Sequence, residues 1–113
     1  MKMVIAYIRP EKLDDVKAEL TKAEVFRMSV SEAMGCGKTR GYKESYRGVD
    51  QNINLYKKLR LEIGVNDNFL EKTINAIMTG AKTGRTGDGL IFVSELVDCI
   101  RIRTNERGSL GIG

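Results

Sequence analysis

Thr83-Gly84-Arg85-Thr86-Gly87-Asp88-Gly89 places three glycines within seven residues. Glycine enters φ > 0 without a Cβ clash and lets a ligand approach the backbone closely. Successive N–H groups in such a turn can converge into a concavity for an anion. Downstream, Ile100-Arg101-Ile102-Arg103 alternates strictly, which in a strand puts Arg101 and Arg103 on one face. A glycine turn and two same-face guanidiniums suit a polyphosphate, because Arg pairs bidentately with phosphate oxygens. The same residues also read as a plain hairpin loop followed by a solvated strand face.

A chain of 113 residues is long enough for one domain with a real core. With 42% apolar and 30% charged residues it is globular in composition. The net charge of +4 fits an anionic small molecule, nucleic acid or a membrane surface and chooses among none of them. There is no His, which excludes His-based catalysis and His metal sites. Cys36 and Cys99 are too few for a disulfide framework, and a reducing cytoplasm is the simplest setting. Cys36, between Gly35 and Gly37, reads as a small residue at a strand–loop junction rather than a reactive thiol. The opening run from Met1 to Ile8 is short and meets Arg9-Pro10, so it reads as a strand, and no run approaches transmembrane length.

The elements that must position these residues follow from period. Residues 2 to 9 are apolar on both faces, as in a central strand. Leu13, Val16 and Leu20 recur at helical spacing after Pro10. Residues 24 to 34 alternate, with Phe26, Met28 and Val30 on one side. Residues 35 to 56 carry no sustained period, and a polar loop of that length inside a compact domain suggests function. From Lys58 to Val65 alternation returns: Leu59, Leu61, Ile63 and Val65 face a core, while Lys58, Arg60 and Glu62 face away. Asn66 or Asp67 caps the next helix, with Leu70, Ile74, Ile77 and Met78 as its stripe and Gly80 near its end. Leu90-Ile91-Phe92-Val93 is a short strand, residues 97 to 104 a last one, and the tail from Asn105 to Gly113 reads as mobile. The resulting fold class is α+β: a ferredoxin-like βαββαβ antiparallel sheet with two helices on one face. Its other face then carries Lys58, Arg60, Glu62, Arg101 and Arg103, to be solvated, paired across a subunit contact or used for a ligand.

With these pieces in place, the chain resembles the PII nitrogen-regulatory signal proteins over almost its whole length, from Met1-Lys2 to Glu106, as a single domain spanning 1–113. The most specific stretches are Lys82-Thr83-Gly84-Arg85-Thr86-Gly87-Asp88-Gly89 with Ile91-Phe92-Val93, Ile100-Arg101-Ile102-Arg103-Thr104, and Tyr46-Arg47-Gly48. In the family's terms, residues 37 to 55 are the T-loop, 82 to 90 the B-loop and 103 to 113 the C-loop and tail. The resemblance implies a homotrimer that catalyses no reaction and binds ATP or ADP, with AMP a further candidate, in clefts between subunits. Mg with ATP then admits 2-oxoglutarate at the base of the T-loop, and the T-loop engages a target such as an ammonium transporter or a nitrogen-metabolism enzyme. That makes the protein cytoplasmic, recruited to the membrane where the target is a transporter. It implies no nucleic-acid partner.

Carried over by position, the nucleotide set is Met28, Ser29, Gly35, Cys36, Gly37, Lys38, Glu62, Gly64, Gly87, Asp88, Gly89, Arg101 and Arg103. Thr39, Arg40, Gly41 and Lys58 fall on the 2-oxoglutarate site, with Thr39 also the position near Mg. Tyr42, Glu44, Tyr46, Arg47 and Gly48 fall on the partner-contacting loop. Several positions depart from the usual pattern. Leu90 replaces a phosphate-facing lysine, Lys38 an arginine, and Thr39 the glutamine that helps hold Mg and 2-oxoglutarate. Val49 and Gln51 replace the serine and tyrosine that other members modify, which excludes both modifications at these positions. Other readings of the same fold are an RNA-binding RRM module, a small acylphosphatase-like hydrolase, or a divergent PII-like regulator of a non-nitrogen transporter or enzyme. The first needs stacking aromatics and a K/R-G-F/Y pattern, which the strand around residues 58 to 64 lacks, and the second shows no activated nucleophile.

Overall fold

The computed structural model describes residues 1–36 and 55–113. β1 (Lys2–Ile8) leads through a 3-10 turn at Pro10–Lys12 into α1 (Leu13–Lys22). β2 (Ser29–Gly35) and β3 (Tyr56–Val65) follow, and a second 3-10 turn, Asp67–Phe69, opens α2 (Leu70–Ala81). β4 (Leu90–Glu95) and a short α3 (Ser109–Ile112) complete the chain. The sheet order is β2-β3-β1-β4 and every pairing is antiparallel. This is the ferredoxin-like α+β arrangement.

The core lies between one sheet face and the two helices. Val4, Ala6 and Ile8 of β1 alternate inward with Leu61, Ile63 and Val65 of β3. Val16 and Leu20 of α1 and Ala76, Ile77 and Ala81 of α2 close over them, as the helical period predicts. Gly80 lies near the end of α2, as expected, one residue before its last. A Cβ there would come within 2.6 Å of the Val16 Cα, so it is the point at which the helix backbones touch. Neither Asn66 nor Asp67 caps α2 through its side chain. Asn66 donates to the Ser109 carbonyl (3.3 Å), and Asp67 lies 3.6 Å from the Lys2 ammonium.

The C-terminal part differs from its sequence reading. Residues 97 to 104 are not a strand of the sheet: the described pairing there is a single bridge between Ile100 and Arg107, and a turn closes on Asn105 at φ 65°. The Arg101 N–H donates to Glu106 O (2.9 Å) and the Asn105 N–H to Arg101 O (2.8 Å). Alternation gives a segment a strand's two faces, but an edge must exist for it to pair with, and within one chain it pairs only with its own return. Nor does the tail read as mobile. The Asp98 carboxylate accepts the N–H groups of Cys99 (2.8 Å) and Gly108 (3.2 Å) and binds the Arg107 guanidinium, whose contact is the main reason its carboxyl is held below the ordinary range. Gly111 is buried where a Cβ would meet Cys99 O at 2.7 Å.

Gly80→Ala sets two effects against each other. Helix propensity favours Ala by up to about 1 kcal/mol, whereas a Cβ forced into the α1 backbone costs typically about 1–3 kcal/mol. The contact is with backbone, which cannot rotate away, so net destabilisation is expected in urea unfolding; a stabilised variant would show that the helices separate freely.

Candidate functional site

The glycine turn is built around one carboxylate. Asp88 Oδ2 accepts the N–H groups of Thr83 (2.8 Å) and Gly84 (2.9 Å), and Oδ1 accepts the Thr83 hydroxyl and Arg9 Nε (3.2 Å). Arg9 Nη2 donates onward to Thr86 O (2.8 Å). The Thr83 hydroxyl, the Thr83 and Gly84 N–H groups and Arg9 together hold the Asp88 carboxyl far below its ordinary value. Two of the amides that could have met an external anion therefore already meet an internal one. Gly87 (φ 101°) and Gly89 (φ 104°) both need the left-handed region, and a Cβ on Gly89 would overlap the Tyr7 carbonyl at 1.7 Å.

Arg9 escapes a residue-by-residue reading, since it is one cation before a proline. The signal is in the register. β1 and β4 pair Tyr7 with Leu90, and continuing that register past both strand ends places Arg9 opposite Asp88. The Lys58 ammonium, from β3, donates to Gly87 O. Lys58, placed by resemblance on a dicarboxylate, thus reaches the turn itself.

The open sheet face carries Lys58, Arg60 and Glu62 as the spacing suggests, but with apolar residues beside them and without Arg101 and Arg103. Met3, Ile5 and Tyr7 lie half-buried on it. Tyr7 meets Phe92 edge-on at 6.2 Å, with the Arg60 guanidinium 6.0 Å from the Tyr7 ring. Arg60 is also ion-paired with Glu62 (3.4 Å). Arg101 and Arg103 lie in the closing turn, off the sheet.

At the far end of β1 is an open cleft of about 600 Å³, lined by Met28, Ser29, Glu62, Gly64, Arg101 and Cys99 among others. Five of the sequence-selected nucleotide residues converge there. Gly87, Asp88 and Gly89 do not: they sit beside Tyr7, Ile8 and Arg9, whereas Met3 lines the cleft. The six residue steps from Met3 to Arg9 separate the two places by roughly 20 Å at about 3.3 Å per residue. Gly35 packs on the Lys58 side chain and Cys36 is exposed at the end of β2; neither joins the cleft. Gly37, Lys38, Thr39, Arg40, Gly41, Tyr42, Glu44, Tyr46, Arg47 and Gly48, with Val49 and Gln51, lie outside the described residues. Among the described residues no group of three acidic or thiol side chains is placed to hold a metal, and no helix is long and apolar enough to cross a membrane.

The whole sequence has well-matched relatives. The family model of the nitrogen regulatory protein P-II matches residues 1–106. Nitrogen regulatory protein GlnK1 of Methanosarcina mazei is 56% identical over 110 residues, covering 96% of this chain and 94% of that protein. Nitrogen regulatory protein P-II 1 of Methanothermobacter thermautotrophicus is 46% identical over 108 residues, covering 96% and 94%. Nitrogen regulatory protein P-II of Nostoc punctiforme is 44% identical over 109 residues, covering 96% and 97%.

A carboxyl whose folded pKa is depressed stabilises the fold at every pH above its ordinary value, here 3.8, and loses that contribution only as pH falls through the lower folded value. Asp88→Asn should therefore lower Tm at pH 7, with the gap to the native chain closing as pH is taken well below 3.8. A gap that stays constant across that range would show that the carboxylate charge does not hold the turn.

Proposed function

Because the chain belongs to the nitrogen regulatory protein P-II family, whose members are signalling regulators rather than enzymes, we propose that it reports adenine nucleotides to a target protein. ATP and ADP, and AMP in the same cleft, are the ligands. The observation that carries this reading is the gathering of Met28, Ser29, Glu62, Gly64 and Arg101 around one cleft wide enough for a base and ribose. The glycine turn lies at the other end of β1, so a nucleotide that touches both must sit between copies of the chain. A homotrimer meets that need. It also supplies neighbours for apolar side chains that one chain leaves bare: Val97 is 99% exposed, Ile102 97% and Phe92 52%.

The departures set the effector preference. Leu90 stands 65% exposed directly after the turn where the family's lysine would reach an outer phosphate. A charge-assisted hydrogen bond contributes about 1.5–3 kcal/mol, roughly tenfold to hundredfold in affinity, and ATP has the additional phosphoryl group to lose it from. Thr39 weakens the site for Mg and 2-oxoglutarate, and Lys58 must leave the Gly87 carbonyl before it can meet a dicarboxylate. The sensor therefore leans to ADP or AMP with a feeble 2-oxoglutarate response. Output runs through residues 37 to 55 to a target protein, with an ammonium transporter or a nitrogen-metabolism enzyme as the leading classes. The protein is then cytoplasmic and visits the membrane only with such a transporter.

Replacing Arg101 and Arg103 together by Ala should weaken ADP and ATP by at least tenfold in calorimetry, on the scale of one lost charge-assisted bond; unchanged affinity would remove the nucleotide reading. Light scattering should give three times the chain mass. For effector choice, 2-oxoglutarate is titrated into protein saturated with Mg and ATP, beside the Thr39→Gln, Leu90→Lys double variant. Binding that appears only in the double variant supports the stated cause, and tight binding by the native chain refutes it.

A further inference from the structure

Arg27 lies just before β2 and belongs to none of the residues the sequence selects. Its Nη1 donates to the carbonyl of Ile112 at 3.0 Å, and Arg101 Nη2 donates to the same oxygen at 3.1 Å. Two guanidiniums thus converge on one neutral acceptor. A carbonyl offers them a partial charge, whereas a phosphate group offers a formal one and several oxygens that can pair bidentately with each guanidinium. The pair of cations is better matched to a phosphate than to what it holds.

The segment that supplies the carbonyl is seated across the cleft. Gly111 and Ile112 line the 600 Å³ cleft, and Ile112 and Gly113 line a second pocket of about 170 Å³ with Phe26, Gly64 and Phe69. α3 therefore partitions one groove along the start of β2 and the end of β3. Its seat depends on Gly111, whose Cβ would meet Cys99 O at 2.7 Å and Glu106 O at 2.9 Å. The Gly108 N–H anchors its start on the Cys99 carbonyl (2.9 Å). Beyond that its described fastenings are Asn66 on Ser109 O (3.3 Å) and the two guanidiniums on Ile112 O, while Leu110 is 70% exposed.

We propose that Arg27 is a phosphate-binding residue and forms one clamp with Arg101, which α3 occupies through the Ile112 carbonyl until a polyphosphate displaces it. This rests on the nucleotide reading of the same cleft. α3 is then an internal competitor, and its seating sets the concentration at which the site fills.

The experiment compares the full chain with two forms in which α3 is unseated: Gly111→Val, and deletion of residues 109–113. Each is made with and without Arg27→Ala, and calorimetry is run with ADP and, separately, with inorganic tripolyphosphate, which has no base. Both unseated forms should bind ADP at least threefold more tightly than the full chain. Arg27→Ala should weaken ADP about tenfold or more in the unseated forms, the scale of a lost charge-assisted bond, and less in the full chain, where it also loosens the competitor. Equal affinities in the full and unseated forms, or weaker binding after deletion, would overturn the displacement. No cost of Arg27→Ala in the deleted form would overturn the phosphate role. If ADP binds no form while tripolyphosphate prefers the unseated ones, the nucleotide reading falls and the clamp stands. If neither ligand binds any form, both are lost.

Discussion

β1 is hydrogen-bonded along both edges, to β3 from Lys2↔Val65 to Ile8↔Leu59 and to β4 from Lys2↔Glu95 to Tyr7↔Leu90. Its inner residues Val4, Ala6 and Ile8 have essentially no exposure, so a slip of one residue on either side would turn the core outward. That fixed register determines what stands at the strand's end. Arg9 arrives opposite Asp88, the Tyr7 carbonyl arrives where Gly89 must have no side chain, and Lys58, one residue beyond Leu59, comes within reach of Gly87 O. The shape of the glycine turn follows from sheet packing on the other side of the molecule.

The turn in turn shows how an anion-friendly backbone can be stabilised before any ligand arrives. Converging N–H groups repel one another unless an acceptor neutralises them. Here the Asp88 carboxylate takes the Thr83 and Gly84 amides, and Arg9 balances the carboxylate's charge. Preorganisation of this kind lowers the conformational cost of binding, but it also removes donors. Whatever binds near Gly87 must rely on the groups that Asp88 leaves and on cations from elsewhere, and Lys58 is already turned towards that carbonyl.

The elements with an internal partner were legible in the sequence. β1, β3, α1 and α2 follow from periods of 2 and 3.6, because each buries its apolar face within the chain itself. The glycine turn was legible as a turn, since φ > 0 needs glycine. What was not legible depends on register or on docking. Arg9 and Arg27 are single cations whose partners lie 79 and 85 residues away. The alternation at Ile100-Arg101-Ile102-Arg103 suggests two faces but cannot say which strand edge completes them, and among the described residues the segment pairs only through the Ile100–Arg107 bridge. Gly111 looked like part of a glycine-rich tail; its importance appears only once the Cys99 and Glu106 carbonyls are seen to close on it.

The same distinction explains why one chain looks unfinished. The apolar side chains Val97 and Ile102 are exposed in the segment whose alternation asks for a neighbour, Phe92 is exposed on β4, and the cleft that holds Met28, Glu62 and Arg101 lies a strand's length from the glycine turn. A fold this small can bury only one face of a four-stranded sheet with two helices. The open face, with Tyr7 and Phe92 in contact at its middle, then has either water or another copy to meet. Water favours charge on such a face, and the observed face carries Met3, Ile5, Tyr7 and Phe92 between its charged margins. Pairing between copies would cover that apolar centre, and the nucleotide proposed above needs a second copy to join one chain's turn to another's cleft. Assembly and ligand site would then be two results of the same uncovered surface, so a substitution that disturbs either should be read in both.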